Sequence, residues 1–155
     1  MAIELSLAIQ YATEAPTLSR AQFQQWARHA LEAAHQADPL DIKGLQLTVR
    51  LVDEDEARQL NTDYRQRDYA TNVLTFPYGT TPDEYLHADI VLCLPVLTQE
   101  AAEQGKTLDN HAAHLLIHGV LHALGYDHES DEAADVMETL EIQVLASFAI
   151  ANPYQ

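Results

Sequence analysis

Ala88-Asp89-Ile90-Val91-Leu92-Cys93-Leu94 is the stretch on which the fold turns. After Asp89 it is a continuous apolar run, the pattern of a central strand rather than of a strand with one wet face. Pro95 follows where it suits a first helical turn, because its missing N–H is harmless there. That helix runs to about Gln104, and Gly105 is placed to stop it. Towards the N-terminus, Val73 to Phe76 reads as a short strand closed by Pro77, with Gly79 to Pro82 as a loop. Asp53 begins a helix that reaches about Tyr64, with Glu56 in the capping-box position. Gly44 precedes Leu45, Leu47, Val49 and Leu51, an alternating strand.

Ser19 reads as the N-cap of a helix that turns Phe23, Trp26, Ala27, Ala30, Leu31 and Ala34 inward and ends near Asp38-Pro39. Ile3 to Tyr11 alternates with period two, and Pro16 falls in the loop between. On the C-terminal side, Leu108 to Leu124 forms a helix with Asp109 or Asn110 near its cap and Gly125 at its end. Ser130 and Asp131 start a last helix with Ala134, Met137, Leu140, Ile142, Val144, Leu145 and Phe148 inward. The order strand, helix, strand, helix, strand, strand, helix, helix, helix implies an α+β fold. The expected architecture is a small mixed four-stranded sheet packed with about five helices, with a metal site on a helix and the turn after it.

A chain of 155 residues suits a single domain over 1–155. Cys93 is the sole cysteine, which excludes an internal disulfide and fits a reducing compartment. The N-terminus has no basic region, and Glu4 interrupts its apolar run, which argues against a secretory signal. No uncharged stretch satisfies the ~20-residue criterion for a membrane span. The expected location is cytoplasmic, with no membrane partner. The net charge of −16 taken alone argues against nucleic acid. Charge placement matters more than the total, and the plain reading of the acidity is solubility.

His118-Gly119-Val120-Leu121-His122-Ala123-Leu124-Gly125-Tyr126-Asp127-His128 carries three of the eight histidines. His118 and His122 lie one helical turn apart and share a face. His114 and His122 are eight residues apart, roughly 12 Å along the axis, so they cannot share one ion comfortably. Gly125 breaks the helix and lets His128 return. The expected ligands are His118, His122 and His128, holding one zinc ion with water in the fourth place. His114 is placed to support that site, to face substrate, or to serve as a structural histidine. His111, His87, His29 and His35 are not expected as ligands. The offsets match the metzincin protease pattern, but Gly119 stands where those enzymes carry a glutamate base. Asp127 is the nearest carboxylate; it is a candidate base, a turn cap or a partner of a histidine.

Arg58, Arg65 and Arg67 are three of only eight basic residues and fall within ten positions. A planar guanidinium binds phosphate bidentately, so this cluster in an acidic chain hints at an anionic substrate. The competing reading pairs them with Asp63, Asp68 or Glu56.

The histidine motif, together with Tyr64-Arg65-x-Arg67-Asp68, Thr71-Asn72-Val73-Leu74-Thr75-Phe76-Pro77 and the Asp89 to Cys93 strand, resembles the YbeY family. The resemblance implies a zinc-dependent endoribonuclease that acts in maturation of the small-subunit ribosomal RNA 3′ end and in ribosome quality control. It implies RNA and ribosomal particles as partners, with ribosomal proteins beside them, and three histidines around the metal. It also implies a functionally important arginine at Arg65. On this reading Arg65 stabilises charge on the phosphate, and Arg67 and His114 help to bind substrate. Two other readings compete. One is a metallopeptidase-like hydrolase, weakened by Gly119. The other is a ribosome assembly factor with structural zinc and no catalysis.

Overall fold

The structure, a computed structural model, describes residues 3–14, 17–67 and 70–155. Pro16, expected in a loop, and Asp68, expected as an arginine partner, lie outside the described residues. Among the described residues, nine elements follow in the expected order. They are β1 (Glu4–Tyr11), α1 (Arg20–Ala37), β2 (Gly44–Val52), α2 (Glu54–Arg65), β3 (Val73–Thr80), β4 (Tyr85–Cys93), α3 (Leu94–Glu103), α4 (Leu108–Ala123) and α5 (Asp131–Ala146). The sheet order is β1-β2-β4-β3. β2 is parallel to β1 and β4, and β3 runs antiparallel to β4. The fold is therefore α+β with a mixed four-stranded sheet and five helices.

The apolar run in β4 has a direct cause, since both faces of the strand are covered. Ala88, Ile90 and Leu92 join Leu47, Val49 and Leu51 of β2 in a core shared with α1, α4 and α5. Val91 and Cys93 face the opposite way and pack with Val52, Leu74 and Ala57 of α2. α4 is buried nearly all round, as expected of a helix clasped by neighbours on most sides. After its first turn only His114, His118 and His122 are not fully buried. The one uncovered stripe of the central helix is thus a row of histidines at four-residue spacing. Among the described residues, no helix is long and apolar enough to cross a membrane.

Four local details differ from the sequence reading. β3 does not close at Pro77 but continues to Thr80, with a register shift between Pro77 and Gly79. Proline is tolerated because β3 is an edge strand, where an N–H is not needed on the open side. β4 correspondingly starts at Tyr85 and takes in His87, and its expected last residue, Leu94, begins α3. Thr107, rather than Asp109 or Asn110, caps α4, its side chain accepting from the Asn110 N–H at 3.1 Å. Asp53 caps α2 as expected, but the Glu56 carboxylate forks onto Arg50 of β2. Ser19 forms a full capping box with Gln22.

Candidate active site

Gly125 ends α4 with φ of +106°, a left-handed conformation that glycine adopts without a Cβ clash. The chain then doubles back, and the His128 ring arrives 5.7 Å from that of His118. His118, His122, Asp127 and His128 form one side of a cleft of about 650 Å³. The same cleft is lined by Tyr64 and Arg65 at the end of α2 and by residues 71–76, which lead into and begin β3. Tertiary structure therefore unites the two segments singled out in the sequence. Among the described residues, Arg65 is the only arginine that lines this cleft, and it makes no ion pair there. Arg58 and Arg67 are exposed and do not line it. Of the carboxylates expected as arginine partners, Glu56 holds Arg50 and Asp63 accepts from Gln59.

Each α4 histidine of the cleft is held through Nδ1. His122 Nδ1 lies 3.2 Å from the Tyr126 carbonyl, which can only accept, so Nδ1 is the donating nitrogen and Nε2 is the one left for the cleft. His118 Nδ1 lies 3.1 Å from Glu141 Oε1 and has the same polarity. This is the arrangement that readies imidazoles for a metal: the far nitrogen donates to a carboxylate or carbonyl. With a nitrogen–zinc bond of about 2.1 Å and tetrahedral angles, two rings on one ion have centres roughly 5 Å apart, near the His118–His128 spacing. Among the described residues, no three His, Cys, Asp or Glu side chains are gathered at ligand spacing. The fit of this donor set to zinc rests on tautomer and ring spacing. Asp127 lines the cleft, and its Oδ1 accepts the Glu129 N–H at 3.2 Å, the turn-capping role among the three open to it.

Glu141 escaped the sequence reading. It lies on the inward face of α5 beside Leu140, Val144 and Leu145, and it is 0% exposed. Its only signal in the sequence is a charge interrupting an apolar stripe. Besides His118, it accepts from His114 Nε2 at 3.1 Å and from the Tyr154 hydroxyl at 2.9 Å. Burial resists its ionisation, but the hydrogen bonds from His114 and His118 outweigh that and pull its pKa down to about 2. Burial, and the Glu141 charge after it, push the Tyr154 hydroxyl above its ordinary value. His114 thus supports the carboxylate behind His118, one of the three roles open to it, and is not among the residues lining the cleft, which sets it apart from the substrate-facing role.

A second carboxylate braces the other wall. Glu100 of α3 accepts from the Asn72 amide at 3.2 Å and from His111 Nε2 at 2.9 Å. It thereby ties the start of β3 to α4. His111 is buried, and burial lowers its pKa more than Glu100 raises it. Of the remaining histidines, His29 stacks on Phe148 beyond α5, and His35 accepts the Leu40 N–H.

Gly119 has a steric reason to be glycine. A Cβ there would stand 2.9 Å from Ile90 Cδ1 and 3.2 Å from Thr75 Oγ1. The backbone of α4 lies against the sheet at this point, and a glutamate would be driven into β4.

A family model described as Endoribonuclease YbeY matches residues 8–149. The chain is 52% identical over 150 residues to a protein of Bordetella avium named Endoribonuclease YbeY, covering 97% of this chain and 93% of that one. The protein of the same name from Bordetella pertussis is 52% identical over 154 residues, with 99% and 98% covered. The one from Burkholderia pseudomallei is 51% identical over 153 residues, with 98% and 81% covered. The solution structure of a Thermotoga maritima protein superposes with a TM-score of 0.57 at 25% identity, covering 91% of each chain.

Proposed function

The chain belongs to the family described as Endoribonuclease YbeY, and from that premise we propose that it is a zinc-dependent endoribonuclease cutting single-stranded RNA. The observation that carries this reading is the single cleft that joins His118, His122 and His128 to Arg65. The three imidazoles hold one zinc ion per chain. When bound, the ion supplies Lewis-acid polarisation of a phosphoryl oxygen. Arg65, opposite the histidines, clamps the phosphate through its planar fork and stabilises the charge that develops on it. Arg67 meets the RNA backbone outside the cleft. Glu100 and Asn72 keep the β3 wall in register with α4.

The substrate class is ribosomal RNA, in small-subunit 3′-end maturation and ribosome quality control. The partners are ribosomal particles and their proteins. The setting is the cytoplasm, and the whole of 1–155 works as one domain. Three ligands facing an open cleft support catalysis over structural zinc, whose sites are closed by four protein ligands. A peptidase is disfavoured because Gly119 stands where its glutamate base would be, and a Cβ there would crowd Ile90 and Thr75.

The test is cleavage of a single-stranded RNA by protein purified free of contaminating nuclease. Chelation and His118→Ala should each abolish cutting, and zinc should restore it to the chelated wild type alone. Cleavage that survives both treatments refutes the reading.

A further inference from the structure

We propose that Glu141 is a positioning residue: from beneath the cleft it holds the His118 imidazole with its proton on Nδ1, so that Nε2 faces the cleft as a free donor. This rests on the zinc reading above and goes beyond it, because it gives a part to a residue that never reaches the cleft.

A carboxylate with no solvent contact costs several kcal/mol unless it is fully compensated. Glu141 is compensated by His114, His118 and Tyr154 together, from two positions on α4 and one in the C-terminal tail. Oε1 is shared by the two histidines, and Oε2 takes the Tyr154 hydroxyl. The carboxylate is therefore held in one orientation, with Oε1 presented to His118 Nδ1.

An ionised carboxylate only accepts, so it dictates which His118 nitrogen carries the proton. His118 itself is 25% exposed and reaches the cleft. Left to water, its proton would exchange freely between the two nitrogens. His122 receives the same instruction from a neutral carbonyl, the Tyr126 oxygen. His118, by contrast, receives it from a full negative charge, which also raises the basicity of its outer nitrogen. Glu141 thus acts on the metal through His118, and Tyr154 and His114 act on Glu141.

Two measurements test this. The first is nitrogen-15 NMR of the histidine side chains in the metal-free wild type, in alkaline buffer where the rings are neutral. His118 should be the Nδ1–H tautomer, and Glu141→Gln should shift it towards a mixture. The second is zinc affinity by chelator competition, where Glu141→Gln should bind about 10–100-fold more weakly. Glu141→Asp, which keeps the charge, should recover part of that loss. Should Glu141→Gln fail to fold, the wild-type tautomer still decides: a His118 proton found on Nε2 overturns the proposal. Zinc affinity within twofold of wild type in a folded Glu141→Gln overturns it as well. A wild type that binds no zinc at all refutes the metal reading instead and leaves the tautomer result standing.

Discussion

Gly119→Ala is the substitution on which two local rules disagree, and the structure decides between them. Helix propensity favours alanine by about 1 kcal/mol in a helix interior. Packing opposes it. The new Cβ would lie 2.9 Å from Ile90 Cδ1, 3.3 Å from Ile90 Cγ1 and 3.2 Å from Thr75 Oγ1, where carbon contacts normally rest at about 3.5–4.0 Å. Ile90 is fully buried in β4, between Val49 of β2 and Thr75 of β3, so its side chain cannot swing out into solvent to relieve the contact. Overpacking of this kind costs about 1–3 kcal/mol. Set against the propensity gain, the expected outcome is a loss of about 1 kcal/mol, a fall in Tm of roughly 2–4 °C for a chain of this size. Urea unfolding followed by circular dichroism should show a lower midpoint with an unchanged m-value. Chelator in the buffer keeps metal binding from adding to the measured stability. Ile90→Val removes the atom nearest the new methyl. That change alone costs about 0.5–1.5 kcal/mol. In the Gly119→Ala background it should cost less, with a favourable coupling of about 1 kcal/mol. A Gly119→Ala protein as stable as wild type or more so, or a cycle with no coupling, would refute the claim that close helix–sheet approach demands glycine here.

Arg65→Ala should keep the fold and lose most RNA cleavage. It should also reduce the slope of log affinity against log salt by about 0.7, the loss of one phosphate contact on a single strand, and an unchanged slope would place the phosphate elsewhere. His111 predicts an acid-side instability. Burial holds its folded-state pKa below the ordinary 6.5, so as pH falls below about 6.5 the unfolded chain binds a proton that the folded chain refuses. Its contribution to stability is therefore flat above that pH and declines below it. In urea midpoints taken across this window, His111→Gln should lose stability less steeply than wild type, and parallel curves would contradict the assignment.

Much of this protein is legible along the chain because the relevant physics is local. Alternation and helical spacing mark which side chains leave water, and all nine elements fall in the order so deduced. Ser19 and Asp53 act as N-caps, and Gly125 as a helix stop, through atoms only a few residues away. The spacing of His118, His122 and His128 likewise depends on one helix and one turn. Other features are decided by partners that no local pattern specifies. Pro77 sits inside a strand because β3 is at the sheet edge. That Arg65 shares a cleft with the histidines, while Arg67 does not line it, depends on the end of α2 and the turn after α4 meeting at that cleft.

Glu141 and Gly119 show the division most clearly. A charge on the apolar stripe of α5 becomes intelligible only when residues 23 and 27 positions earlier, and one 13 later, close around it. Gly119, read from sequence as a missing base, proves to be the contact point between α4 and β4. The sequence by itself determined the elements, their order and the one-turn spacing of His118 and His122 with His128 after the Gly125 turn, since these follow from backbone periodicity and short-range hydrogen bonds. Only the tertiary structure decided what stands behind each imidazole and what faces it, because those partners are brought together by packing across the sheet and between helices.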